Sequence, residues 1–234
     1  MKVHNLHGWQ TSVPQAFGIQ RELAARVSRT SEITEPRLIA GVDISVSRGQ
    51  SMATGAVVVV DYPALELVEM KTVNGKLDFP YIPGLLSFRE APLALAAFEK
   101  LAATPDLILV DGQGLAHPRR LGLASHLGLL LDTPTIGCAK SRLCGSYEEP
   151  DVALGSRADL VDNGEVIGTV LRTKRAINPL YISIGHKMDL ETAIGWVLAC
   201  CRGYRIPEPL RLAHLAAGGN LNEKEYVPAH EMSG

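Results

Sequence analysis

The sequence predicts an α/β fold: one domain built on a mixed β-sheet flanked by helices, with an extra β-hairpin at its edge. Three observations predict it. Apolar runs over 38–46, 53–60 and 65–73 follow one another with only short Gly- and Pro-containing links, and strands joined so tightly pair antiparallel. From 107 to 138 the pattern becomes strand, helix, strand, the alternation of a parallel sheet. Residues 158–173 carry two strand-like runs around Asp162-Asn163-Gly164, a turn suited to positive φ.

Taken in order, residues 14–27 place Ala16, Ile19, Leu23 and Val27 at helical spacing, which predicts an amphipathic helix lying over the outside of the sheet. Three strands of a meander follow, the first with Asp43 in its interior. Residues 86–101 return to helical spacing through Leu93, Ala97 and Leu101, with Pro92 tolerable only in the first turn. The apolar stretch 107–110 reads as a buried strand ending at Asp111, followed by a helix over 120–130 and a short strand over 135–138. After the hairpin come a strand over 180–184 and a helix over 189–201, capped by Asp189 with Glu191 in its first turn. No linker cuts the chain, so 1–234 reads as a single domain whose Gly-rich, polar segment 216–234 is a flexible tail.

Composition narrows the function classes. With 46% hydrophobic and 21% charged residues, disorder, collagen and coiled coil are excluded. No apolar run approaches the roughly 18–20 residues of a membrane span, and Met1-Lys2 leads into His4, Asn5, His7 and Gln10 rather than an apolar signal region, so a cytoplasmic protein is expected. Cys138, Cys144, Cys200 and Cys201 match neither a zinc knuckle nor a disulfide framework and read as buried, reduced thiols. A net charge of −2 gives no global basic field, so a nucleic-acid partner would need local patches. Two clusters qualify: Arg119, Arg120, Lys140 and Arg142, and Arg172, Lys174 and Arg175, each with a solvated charged face as the alternative.

Three acids stand where an acid is least expected: Asp43 inside an apolar strand, Glu90 at the start of a helix and Asp111 at the carboxyl end of a strand. A buried carboxylate is costly unless paired or bound to a metal, and the carboxyl ends of strands line the ligand crevice of an open α/β sheet. Clustered carboxylates without cysteine suit a hard cation, Mg²⁺ or Mn²⁺. Singly, each acid could instead cap a turn or favour a helix start.

Pro80-Tyr81-Ile82-Pro83-Gly84 is a second oddity, because two prolines three apart stiffen the backbone around an aromatic side chain. A rigid apolar wedge can hold apart a base step and fill the gap of an extruded nucleotide; the alternative is a proline-framed turn with Tyr81 in the core. Asp111-Gly112-Gln113-Gly114-Leu115-Ala116-His117 lacks the Gly-Lys-Ser/Thr ending of a P-loop, so it suits a base or sugar-phosphate pocket rather than a nucleotide-phosphate cradle. Ser183-Ile184-Gly185-His186 lacks the nucleophile-elbow pattern; His186 reads as a turn residue, with Lys187 near phosphate.

Together these motifs resemble the endonuclease V family, the deoxyinosine 3′ endonucleases. Gly-Val-Asp43, Pro-Tyr81-Ile-Pro-Gly84 with Phe88-Arg-Glu90, Val-Asp111-Gly-Gln-Gly-x-x-His117-Pro, Ile136-Gly-Cys-Ala-Lys140 and Arg205-Ile-Pro-Glu-Pro-x-Arg-x-Ala-His214 occur in the family's order, over about 8–215. The resemblance implies a ribonuclease H-like fold with a five-stranded mixed sheet. It implies that Asp43, Glu90, Asp111 and His214 hold the catalytic metal and that Lys140 lies beside the scissile phosphate. Pro80, Tyr81, Ile82 and Pro83 match the strand-separating wedge, and Gly84, Gly112, Gly114 and Gly137, with His117 close by, match the base pocket.

The expected activity is metal-dependent hydrolysis of the second phosphodiester bond 3′ to deoxyinosine in DNA, with inosine-containing RNA as a further substrate, by a monomer. The rival reading is a module that binds inosine without cutting. It leaves the electrostatic cost of clustered acids beside phosphates without a purpose. A small-molecule hydrolase is disfavoured by the lack of a nucleophile motif.

Overall fold

The structure, a computed structural model, describes residues 1–46 and 52–221. Its sheet has eight strands in the order β3-β2-β1-β4-β5-β8-β7-β6. The meander is β1 (Leu38–Val46), β2 (Met52–Asp61) and β3 (Leu67–Lys76), antiparallel throughout; its first turn lies outside the described residues. Beyond it, β4 (Leu107–Val110) and β5 (Thr135–Ala139) extend the sheet from β1 in parallel. The α/β class, with helices on both sheet faces, is as expected; the strand count is not. The predicted ribbon, β6 (Arg157–Asp162) and β7 (Glu165–Leu171), is joined through antiparallel β8 (Leu180–His186) to β5 and forms the edge of the sheet, as expected, so that it adds to the strand count. Its turn holds Asn163 at φ 53° and Gly164 at φ 79°, as the Asn-Gly pair requires.

The central strands are apolar on both faces because both are covered. Ile39, Val58, Val60, Leu107 and Leu109 face α4 (Leu190–Ala199) and α5 (Glu208–Ala217). Ala40, Val42, Val57, Val59, Ile108 and Val110 face α2 (Leu86–Phe98) and α3 (Leu123–Leu131). Asp189 caps α4 by accepting the Thr192 amide at 2.9 Å, as predicted.

Four expectations need correction. Helix α1 (Val13–Ala24) packs not on the sheet but on α3 and the start of α2, through Ala16 against Leu85 and Phe88 and Leu23 against Leu121 and Leu129. Pro92 lies in the interior of α2, not its first turn. Helix α5 was not read from periodicity at all. Ala216 and Ala217 are buried at its end, so the tail read from 216 begins later; residues 222–234 lie outside the described residues. All four cysteines are free, but Cys144 and Cys201 are only partly buried.

Candidate active site

The parallel strands β1, β4 and β5 end on one sheet edge, and that alignment builds the site. Asp43 near the end of β1, Asp111 just past β4 and Lys140 just past β5 therefore stand side by side. Asp43 is 7% exposed; its Oδ1 accepts the Ile44 amide at 2.8 Å and its Oδ2 lies 2.7 Å from Nδ1 of His214 on α5. Asp111 forms a close ion pair with Lys140. Ligand atoms of Asp43, Asp111 and His214 all lie within 4.8 Å of one another, and among the described residues this is the one such cluster. Burial, then repulsion from Asp43 and Asp111, pushes the Glu90 carboxyl up to about 8, so Glu90 on α2 faces the same charges. Burial and Asp43 likewise raise Asp111, against the lowering effect of Lys140. Two carboxyls, Glu90 and Asp111, that resist ionising beside Asp43 are what a divalent cation would relieve, and an oxygen-rich set with one imidazole and no thiolate fits Mg²⁺ or Mn²⁺.

Helix α5 reaches β1 because Gly41 has no side chain: a Cβ there would lie 2.1 Å from the Pro209 carbonyl oxygen. Gly41 and Asp43 are two apart in the strand and share that face. Gly41→Val is therefore expected to push α5 outward, lowering the melting temperature by roughly 5–10 °C through overpacking of about 2–3 kcal/mol and withdrawing His214 from Asp43. Calorimetry checks this; an unchanged melting temperature would refute it.

Next to the acids, a cavity of about 310 Å³ is walled by Tyr81, Ile82, Pro83 and Gly84 on one side, Asp111, Gly112 and His117 on another, and Lys140 to Leu143 on a third. Tyr81 is 72% exposed, which removes the core-tyrosine alternative. Gly84, at φ 79°, turns its carbonyl into a cluster of donors: His117 Nε2 at 2.9 Å, Arg119 Nη2 at 2.7 Å and Gln20 Nε2 at 2.9 Å. Nδ1 of His117 accepts the Arg119 amide at 3.1 Å, so its proton sits on Nε2, and burial followed by Arg119 pushes its pKa down to about 4. His117 is thus a neutral clamp on the proline-rich turn.

A family model for endonuclease V matches residues 21–215. This chain belongs to the endonuclease V family. It is 56% identical over 217 residues to the endonuclease V of Dehalococcoides mccartyi, covering 93% of this chain and 97% of that one. The crystal structure of endonuclease V from Streptomyces avermitilis superposes with a TM-score of 0.86 at 40% identity, over 97% of this chain and 100% of that chain. Endonuclease V from Ciona intestinalis, in complex with a 23mer DNA containing an inosine followed by a ribo-adenosine, superposes at 0.77 with 31% identity, over 91% of this chain and 98% of that one. Membership makes the chain an endonuclease, and no described helix is long and apolar enough to cross a membrane.

Other residues read from the motifs fall elsewhere in this chain. Gly114 and Gly137 are buried beneath the cavity rather than in its wall: a Cβ on Gly137 would lie 2.5 Å from the Gly114 nitrogen, and one on Gly114 2.1 Å from the Ile184 carbonyl oxygen. They let the loop after β4 settle on β5 and β8. Pro80 lines a different cavity. The first basic cluster is largely consumed internally: Arg120 pairs with Asp162 at 2.9 Å and Glu165 at 2.7 Å, and Arg119 Nε donates to Gln20 at 2.5 Å while its guanidinium lies over Phe17. In the second, Arg172 is buried and pairs with Glu149, leaving Lys174 and Arg175 exposed. Lys187 pairs with Asp132 and Glu32 instead of facing a phosphate, and His186 is buried at the end of β8, where it accepts the Ser28 amide at 3.1 Å. Sequence reasoning missed Gln20, a buried amide on the apolar face of α1, and gave no role to Arg205 of the last motif, whose Nη2 donates to the Lys140 carbonyl at 2.9 Å and holds the turn carrying that lysine.

Proposed function

We propose that this chain hydrolyses the second phosphodiester bond 3′ to a deoxyinosine in DNA, leaving 3′-hydroxyl and 5′-phosphate ends and the lesion still in the strand. Mg²⁺ is the proposed cofactor, with Mn²⁺ able to substitute, inosine-containing RNA is a further substrate, and the enzyme acts as a cytoplasmic monomer. The observation that carries this reading is the single cavity that opens both on the Tyr81–Gly84 turn and on Asp111 and Lys140: a base entering it would lie beside Asp111, one member of the acid cluster. The inosine-containing DNA bound by the Ciona intestinalis relative supports the choice of lesion.

Asp43, Glu90, Asp111 and His214 would hold the metal. When bound, it supplies a lowered water pKa and positive charge where the phosphate and leaving oxygen become more negative. Lys140 adds a further positive contact at the phosphate. The chain's remaining work is positional. Ile82 packs against the Phe79, Leu85 and Phe88 cluster and Gly84 is held by its three donors, so Tyr81 is presented on a turn fixed at its carboxyl end. His117 stays neutral down to about pH 4 and its Nε2 proton is committed to Gly84, so it orients the pocket and is not the acid or base.

The test is a nicking assay on inosine duplex DNA and inosine RNA with and without Mg²⁺. A Mg²⁺-dependent cut one nucleotide beyond the lesion is expected; cutting indifferent to inosine overturns the reading. For the wedge, Tyr81→Ala is expected to weaken duplex affinity about tenfold to a hundredfold, from a stacking contribution of about 1–3 kcal/mol. Its melting temperature should barely move, because the side chain is exposed. The loss should shrink on single-stranded inosine DNA, where no partner strand has to be parted; equal losses on both would reduce Tyr81 to a stacking contact.

A further inference from the structure

A second cavity, of about 410 Å³, lies on the other side of the proline-rich turn and shares no wall residue with the cavity beside the acids. Resting on the function proposed above, we infer that this cavity receives the complementary-strand nucleotide that loses its partner when Tyr81 enters the duplex. Among its wall residues Trp9 is the partly exposed aromatic, while Phe79 and Phe88 are buried, with Pro80 of the wedge at its border and the cations Lys76 and Arg89 beside them. A base stripped of its pair has also lost stacking, and the Trp9 ring can restore that without reading sequence. The walls are held in place: Trp9 packs edge-on against His7 at 4.7 Å and Phe88 at 6.3 Å, and Arg89 donates to the Phe79 carbonyl at 2.5 Å, just before Pro80. Lys76, with 66% of its side chain exposed, and Arg89 offer positive charge to the flanking phosphates. Asp78, the one acid in the wall, lies 3.6 Å from Lys76 and is open to water. The wedge thus divides two receptacles, one for the lesion and one for its former partner.

Affinity of the full chain, measured without Mg²⁺ so that nothing is cut, tests this on three inosine oligonucleotides: a duplex with thymine opposite the lesion, the same duplex with an abasic site there, and the single strand. Trp9→Leu and Lys76→Glu are each expected to weaken the thymine duplex about tenfold and to leave the single strand unchanged, which also reports that the variants are folded. The Trp9→Leu penalty should vanish on the abasic duplex, while that of Lys76→Glu, acting on phosphates, should remain. A 2-aminopurine placed opposite the inosine should be quenched on binding wild type and brighter on Trp9→Leu. Equal losses on duplex and single strand, no loss on the duplex, or a Trp9 penalty that survives the abasic site would overturn the inference. A wild type that binds adenine duplexes as tightly as inosine duplexes would instead overturn the function on which it rests.

Discussion

Asp43→Ala is expected to cut the nicking rate at least about a thousandfold while leaving the fold intact. A metal ligand contributes several kcal/mol of transition-state stabilisation, and about 1.4 kcal/mol corresponds to a factor of ten in rate. Stability should hold because the deletion acts in both directions. It removes the partner of His214 and the acceptor for the Ile44 amide, yet it also removes the charge that raises Glu90 and Asp111. Affinity for inosine DNA should fall far less than the rate, since the cavity walls are untouched. Single-turnover nicking beside thermal melting measures both, and near-wild-type cleavage in Mg²⁺ would show that Asp43 is not a metal ligand.

How much was legible in the sequence follows from what each residue costs. Asp43 and Asp111 stood out because an acid in or next to an apolar strand is expensive, and that expense is visible without a structure. The meander and the Asn-Gly hairpin were visible for a similar reason: short links and turn chemistry are local. His214 was reached only through the family motif, because α5 is short and sits between Pro207 and Gly218, and its apolar residues were not recognised as a helix face. The basic cluster misled, since charge in a sequence does not disclose its partner: Arg120 meets acids that arrive with the hairpin more than forty residues on. Gly114 and Gly137 were read as pocket wall from motif position, whereas their role is close packing of three backbone segments, which only the sheet order makes evident. Joining β8 to β5 was likewise invisible, because antiparallel pairing between distant strands leaves no local mark.

The acids that suit a metal should also weaken the metal-free fold, and the sign can be worked out. Glu90 titrates near 4.5 when unfolded and near 8 when folded, raised by burial and by Asp43 and Asp111. Between those values the folded protein binds more protons than the unfolded one, so stability falls as pH rises from about 4.5 and the loss is complete above about 8. At about 1.4 kcal/mol for each tenfold change, the penalty above pH 8 is several kcal/mol. Glu90→Gln removes the charge and keeps the shape. In chelator, the variant is therefore expected to melt roughly ten degrees above wild type at pH 8.5, with the gap closing as pH falls toward 4.5. Comparing the two proteins pH by pH isolates Glu90 from His126, whose burial pushes its pKa down to about 3 and makes both proteins acid-sensitive alike. Mg²⁺ should narrow the gap from the wild-type side, because the cation offsets the repulsion that only the carboxylate feels, while the variant loses nicking. A difference that stays constant from pH 5 to 8.5 would mean that Glu90 acts through packing, and the case for a cation at this site would then rest on Asp43, Asp111 and His214 alone.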